Sequence, residues 1–311
     1  MPGHLGAVKD QAFVISSFRL RDGAVMPKAK IVYETYGRLA ADGRNVALIT
    51  QGYTSSHHAA GRNPANGNLP GWWDGLIGPG TAIDTDKLFV VSSNMLGSSF
   101  GSTNGASIDP RTGQPYGPDF PAITVRDIVA AQKALLDALG VEHLVAVAGP
   151  SYGGYQAFQW AVDYPEFIDG IVPVGTAPKA QNVEHSLAEL QARLATDPEW
   201  NSGRYYDKGG AETVLTELRV EMVKRNGTIG YDTVKDFAKI KARVLFVLCR
   251  TDTLFPPSIA PGVMDALAAA GVDARFFEID SNLGHSASGP EHAKWSPVLC
   301  AFLEPLMAKL G

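Results

Sequence analysis

Two rhythms of apolar residues alternate along this chain. Short, nearly continuous apolar runs predict strands at 46–50, 88–92, 144–148, 170–174, 243–248 and 274–279. Such runs suit strands of a parallel sheet covered on both faces. Between them the apolar positions fall near helical spacing. Residues 125–139 carry Ile128, Val129, Leu135, Leu136 and Leu139, and 152–164, 257–270 and 291–310 read the same way. Alternating β and α segments predict an α/β fold with a doubly wound, mostly parallel sheet and helices on both faces. Ligands in such folds bind beyond the carboxyl ends of the strands, so chemistry is sought in the residues that follow each one. The stretch 178–237 breaks the alternation. It is polar and helix-rich, with Trp200, Tyr205 and Tyr206, and is longer than an ordinary crossover. We read it as a short helical cap inserted between core segments 1–177 and 238–311.

Composition narrows the class. The 311 residues are 45% hydrophobic and 19% charged, with net charge -5 and no long run of one sign. Nucleic acid and an anionic membrane surface are therefore not expected as partners. The two cysteines, Cys249 and Cys300, lie in apolar runs and are expected as buried thiols, not as a disulfide. No apolar stretch is long enough to span a bilayer, and the residues from Met1 onward do not read as a secretory leader, so a cytoplasmic location is expected.

The run 144–148 leads directly into Gly149-Pro150-Ser151-Tyr152-Gly153-Gly154, and a helical pattern follows. Strand, sharp turn and helix around G-x-S-x-G form a nucleophile elbow, with Ser151 as the candidate nucleophile. A serine needs a base and a group to orient it, and in this context they follow in the order acid, then histidine. Asp252 follows the strand ending near Leu248, and His285 follows the next strand on a loop able to fold back over Ser151. The backbone amides of Tyr152, after the nucleophile, and Tyr53, on the loop after 46–50, are the candidate oxyanion donors. His57 is expected to line the pocket. A His57/His58/His285 metal site lacks a completing carboxylate or cysteine at a recognisable spacing. No metal and no cofactor is expected.

These residues, with Tyr33-Glu34-Thr35-Tyr36-Gly37, Gly71-Trp72-Trp73, Ser93-Asn94-Met95-Leu96-Gly97, Tyr116 to Pro121 and Asp252 to Pro257, resemble homoserine O-acetyltransferases and their relatives among the α/β-hydrolases. The resemblance covers most of the chain outside the cap and implies a Ser-Asp-His mechanism. It also implies two substrate anchors that this chain lacks. An aspartate directly after the catalytic histidine is here Ser286. An arginine before the cap's Asp-Pro is, counting back from Asp197-Pro198, Gln191. The cap reads as shorter than the family's, and the elbow carries Pro150 and Tyr152 in place of the usual Gly and Met. The family includes plain esterases. With both charged anchors gone, the leading expectation is a serine hydrolase cleaving small acetyl-type esters through an acyl-serine. The alternative is an acyl-CoA-dependent O-acetyltransferase with a hydroxyl acceptor. A catalytically weak ligand sensor is a third, which an intact Ser/Asp/His set argues against. The expected partner is a small-molecule ester, with a homodimer as one option.

Overall fold

The computed structural model describes residues 5–181, 183–198, 200–204 and 221–309. Its main sheet has eight strands: β1 (Gln11–Arg19), β2 (Val25–Tyr36), β3 (Val46–Thr50), β4 (Phe89–Ser93), β5 (Leu144–Pro150), β6 (Gly170–Val174), β7 (Arg243–Cys249) and β8 (Ala274–Ile279). Their spatial order is β1-β2-β4-β3-β5-β6-β7-β8. From β4 to β8 all pairings are parallel, while β1–β2 and β2–β4 are antiparallel. This is the mostly parallel sheet that the apolar runs predict.

The hairpin β1–β2 is the addition. Exposed and more buried positions alternate along β1 and the first half of β2, instead of running continuously apolar. Pro27 interrupts the second one, and at that point Ser17 opposite takes φ 53 and leaves the ladder. Proline has no N–H to donate, and β2 tolerates it because β4 pairs only with Tyr33–Tyr36.

Strand side chains divide between two cores. Leu48, Val147, Val244 and Phe246 face one side with helices α1 (Val125–Ala138), α2 (Tyr152–Asp163) and α4 (Ala260–Ala269). Ile49, Val145, Leu245 and Val247 face the other with Trp73 and helix α5 (His292–Met307). Trp160 and Trp295 are fully buried, one in each core; truncating such a residue leaves a cavity that costs about 3–5 kcal/mol. α1 starts with a capping box in which Thr124 and Asp127 satisfy each other's backbone N–H. Asp127 also accepts the Arg21 amide at 2.8 Å, which ties the hairpin to the helix layer.

Between β6 and β7 lie helix α3 (Val183–Ala195) and a helical turn at 221–226. Tyr205 and Tyr206, expected in the cap, fall outside the described residues. Trp200 lies between them and α3. Cys249 is buried as expected, but Cys300 is exposed: its position on α5 turns away from the apolar stripe of Trp295, Leu299, Phe302 and Leu303. Among the described residues no helix is long and apolar enough to cross a membrane.

Candidate active site

β5 ends at Pro150 and α2 begins at Tyr152, so Ser151 alone makes the turn. It does so at φ 54, ψ -120, a conformation that costs a non-glycine residue on the order of 1–3 kcal/mol. The surroundings enforce it. The Ser151 amide donates to Val174 O at 2.8 Å. A Cβ on Gly149 would lie 2.1 Å from Thr50 Oγ1, and one on Gly153 would lie 2.2 Å from Thr50 O. Only glycines allow β3 and the elbow this approach, and the Thr50 hydroxyl closes it by donating to Gly153 O at 2.9 Å.

Three strand ends bring three side chains together. His285 Nε2 lies 2.8 Å from Ser151 Oγ, and His285 Nδ1 lies 2.8 Å from Asp252 Oδ2. The carboxylate accepts the Nδ1 proton, so Nε2 offers its lone pair to the serine hydroxyl. Asp252 is 3% exposed. Burial by itself would raise its pKa, but hydrogen bonds from His285 and from the Phe255 and Leu254 amides bring it below the ordinary aspartate value. His285 stacks on Phe255 with ring centroids 5.6 Å apart. Its loop is fixed from behind by Gly284 N donating to Thr251 Oγ1 at 3.1 Å. The geometry can deprotonate a serine and return the proton to a leaving group.

The loop after β3 is seated against the elbow: a Cβ on Gly52 would lie 3.7 Å from that of Ser151. Neither the Tyr53 nor the Tyr152 amide donates to another backbone group among the described residues outside regular helices and strands. Both rings border the cavity beside Ser151, 5.9 Å apart. That cavity measures about 990 Å³ and is lined by Ser151, His285, Trp72, Tyr155, Phe255, Leu254, Arg225 and others. Ser286 lines it as well.

Two expected pocket residues are elsewhere. Gln191 sits on the exposed face of α3, outside the cavity lining. His57 turns away from the cavity, with Nε2 2.9 Å from Asp10 Oδ1. It joins a buried polar cluster behind the loop. Asn63 Nδ2 donates to Asp10 at 2.6 Å and to Glu34 at 2.7 Å. Tyr36 Oη donates to Glu34 at 2.5 Å, and His58 Nδ1 lies 3.0 Å from the same carboxylate. His58 Nε2 meets Leu69 O at 2.9 Å, an acceptor only, so both ring nitrogens donate and the ring is an imidazolium. Asp10, Glu34 and His57 could present ligand atoms within 4.8 Å of one another. The Asn63 amide already bonds both carboxylates there. His58 and His285 each have both nitrogens committed, so the His57/His58/His285 trio does not assemble.

Residues beyond the sequence reading also reach the cavity. Arg225 lines it and carries a guanidinium whose Nε, Nη1 and Nη2 donate to Tyr53 Oη, Ser186 O and Glu221 Oε1. Its only sequence signal is a basic residue in the cap, which cannot be told from a solvated charge.

Comparison with known proteins decides the family. Residues 57–217 match the α/β-hydrolase fold family model. A homoserine O-acetyltransferase of Pelobacter propionicus is 32% identical over 365 aligned positions, covering 98% of each protein. The chain belongs to the homoserine O-acetyltransferase family of α/β-hydrolases. Another member, from Moorella thermoacetica, is 47% identical over 201 residues, which are 64% of this chain and 54% of that relative. The crystal structure of homoserine O-acetyltransferase from Bacillus anthracis matches with a TM-score of 0.86 at 26% identity, over 96% of this chain and 98% of that one. Esterase E22 matches with a TM-score of 0.83 at 27% identity, over 95% and 100%. The scaffold is thus shared with an esterase, and the fold alone does not separate the two activities.

The expectation of a plain ester hydrolase is corrected by relatives that span nearly the whole chain and are named homoserine O-acetyltransferases. Of the two missing anchors behind that expectation, Ser286 does line the cavity, but the second does not hold. The expectation took Gln191 as the occupant of that anchor site, but Gln191 does not face the cavity, and a cation, Arg225, does.

Proposed function

We propose that this chain is an acyl-CoA-dependent O-acyltransferase whose acceptor is a small hydroxyl-bearing amino acid of the homoserine type. The observation that carries this reading is the full-length similarity to a homoserine O-acetyltransferase, joined to a serine, histidine and aspartate in hydrogen-bonding sequence at the mouth of one cavity.

In the first half-reaction, Ser151 Oγ attacks the thioester carbonyl while His285 Nε2 takes its proton. The Tyr53 and Tyr152 amides hold the oxyanion. Collapse expels the thiolate, which leaves with the proton from His285, and an acyl-serine remains. In the second, the acceptor hydroxyl gives its proton to His285 and takes the acyl group through the same sequence. Asp252 keeps the imidazole oriented and offsets its charge throughout.

Water competes for the acyl-serine, so transfer requires a held acceptor. Arg225 is the candidate anchor for its carboxylate. A guanidinium has five N–H donors; among the described residues, protein acceptors take three of Arg225's, leaving two. The segment 178–237, proposed as a cap, supplies this residue. We place the reaction in the cytoplasm, consistent with two unpaired cysteines.

The test supplies the purified protein with acetyl-CoA and homoserine, and follows free thiol and O-acetylhomoserine together. Equal release of both supports transfer. Thiol release that yields no O-acylated product from homoserine or from any other small hydroxy amino acid sinks the proposal. Succinyl-CoA in parallel establishes the acyl preference.

A further inference from the structure

One buried cation takes no part in the mechanism above. Lys224 is 4% exposed, on the helical turn 221–226. Its Nζ donates to the backbone carbonyl of Tyr53 and lies 5.4 Å from the centroid of the Tyr53 ring. The same turn grips the same residue again. Tyr53 Oη donates to Glu221 O at 2.8 Å, and Arg225 Nε donates to Tyr53 Oη at 3.3 Å. On the other side, Tyr152 Oη donates to Lys224 O at 3.2 Å. The turn therefore bonds both residues whose amides are the proposed oxyanion donors.

We propose that Lys224 is a positioning residue for the oxyanion hole: its amine, bonded to the Tyr53 carbonyl, sets the Tyr53 backbone and so aims the Tyr53 N–H at the position of the developing charge. The inference rests on the assignment of that amide to the oxyanion. Its physical basis is the geometry of a single residue. A carbonyl held from one side and a ring held at its hydroxyl fix the Tyr53 Cα and the bonds leaving it; that places the amide nitrogen and leaves rotation about φ as the one freedom of its N–H. An ammonium donor makes a shorter and about twice as strong a bond as a neutral one, so the grip weakens when the amine loses its proton.

The groups facing Nζ set the pH range. Glu221 and Arg225 lie on its own turn and Tyr53 faces it from the loop after β3, while Tyr152, from α2 with Tyr155 three residues on, donates to the Lys224 carbonyl. Burial dominates and brings the Lys224 pKa down to about 7, with the Glu221 charge opposing. The charged form prevails below that value and the neutral form above it.

The experiment measures acylation by p-nitrophenyl acetate across pH in wild type, Lys224→Met, Lys224→Arg and Ser151→Ala. This reaction needs no acceptor amino acid. Complete loss of an oxyanion donor costs about 10²–10³ in kcat; a misaimed donor should cost less, so Lys224→Met is expected to lower the acylation rate constant about tenfold with KM nearly unchanged. Lys224→Arg keeps a permanent charge and is expected to restore most of the rate and to remove the decline that wild type shows as pH rises through about 7. Acylation by Lys224→Met at the wild-type rate, a change confined to KM, or the same alkaline decline in Lys224→Arg overturns the proposal. If Lys224→Met does not fold, as judged by circular dichroism, the pH profile of Lys224→Arg decides alone. Turnover by Ser151→Ala would instead overturn the reading of the site itself.

Discussion

Replacing Asp252 with Asn separates charge from shape at the base of the proposed triad. In the structure one carboxylate oxygen accepts the Leu254 and Phe255 amides at 2.8 and 3.1 Å, and the other accepts His285 Nδ1 at 2.8 Å. An asparagine oxygen can keep the two backbone bonds, which leaves its NH2 facing Nδ1. Two donors cannot face each other, so the imidazole moves its proton to Nε2, the atom 2.8 Å from Ser151 Oγ. It then has no lone pair for the serine. This tautomer change costs about 10⁴ in kcat in a serine triad, or about 5.4 kcal/mol at 1.36 kcal/mol per decade. Flipping the amide restores the tautomer but sets NH2 against two backbone N–H groups, at about 1–3 kcal/mol for each unsatisfied donor. Either route should cost at least about thirtyfold. The assay is the pre-steady-state burst of nitrophenolate from p-nitrophenyl acetate at neutral pH, with Ser151→Ala as the zero. A variant within tenfold of wild type would refute the orientation argument. The substitution carries a second signature. Against burial, hydrogen bonds from His285 and two backbone amides hold the folded aspartate below its ordinary value. Its contribution to stability is therefore present above that value and lost as pH falls through the lower folded one. Asparagine does not titrate, so the acid decline of stability should flatten.

Three other outcomes are expected. Gly153→Ala forces a Cβ to within 2.2 Å of Thr50 O; it should lose about 1–3 kcal/mol in urea unfolding and most of its acylation rate, and a neutral effect on both would show that the elbow can relax. Glu34→Gln leaves the His58 imidazolium buried without its counter-charge and should cost about 3–5 kcal/mol at neutral pH. His58 is raised above 6.5, chiefly by its bond to Glu34, so the pair stabilises fully below 6.5 and loses its contribution as pH rises through the raised value; thermal melts across pH should show that alkaline decline in wild type and not in the variant. Arg225→Met should raise the homoserine KM about tenfold or more, since truncating one partner of a desolvated charge pair costs 2–5 kcal/mol, while acylation by p-nitrophenyl acetate changes less; an unaltered homoserine KM would remove Arg225 from acceptor binding.

Much of the architecture was legible because its signals are local. A parallel strand covered on both faces is continuously apolar, and so the six core strands from Val46 to Ile279 stand out within their own few residues. The elbow is equally local: Gly149 and Gly153 are required by contacts with Thr50, and their spacing around Ser151 betrays the turn without knowledge of the contact. Asp252 and His285 were reachable from topology, because strand ends in such a sheet share one rim. The β1–β2 hairpin was harder to see, since its half-exposed strands alternate and Pro27 breaks the pattern.

Side-chain direction was decided only by the tertiary structure. His57 and His58 adjoin the proposed oxyanion loop in sequence, yet Asp10, Glu34 and Asn63, from three separate segments, draw them to its far side. Gln191 seemed to occupy an anchor position by counting from Asp197-Pro198, but a helix turns 100° per residue and α3 presents it to solvent. Arg225 and Lys224 are adjacent basic residues that sequence cannot tell apart. The helical turn sends one guanidinium into the cavity wall and buries the other residue's amine against the Tyr53 carbonyl. Chain order sets which chemical groups are available near each strand end. Their environments, and with them the balance between water and an acceptor at Ser151, depend on contacts made across more than a hundred residues of intervening sequence.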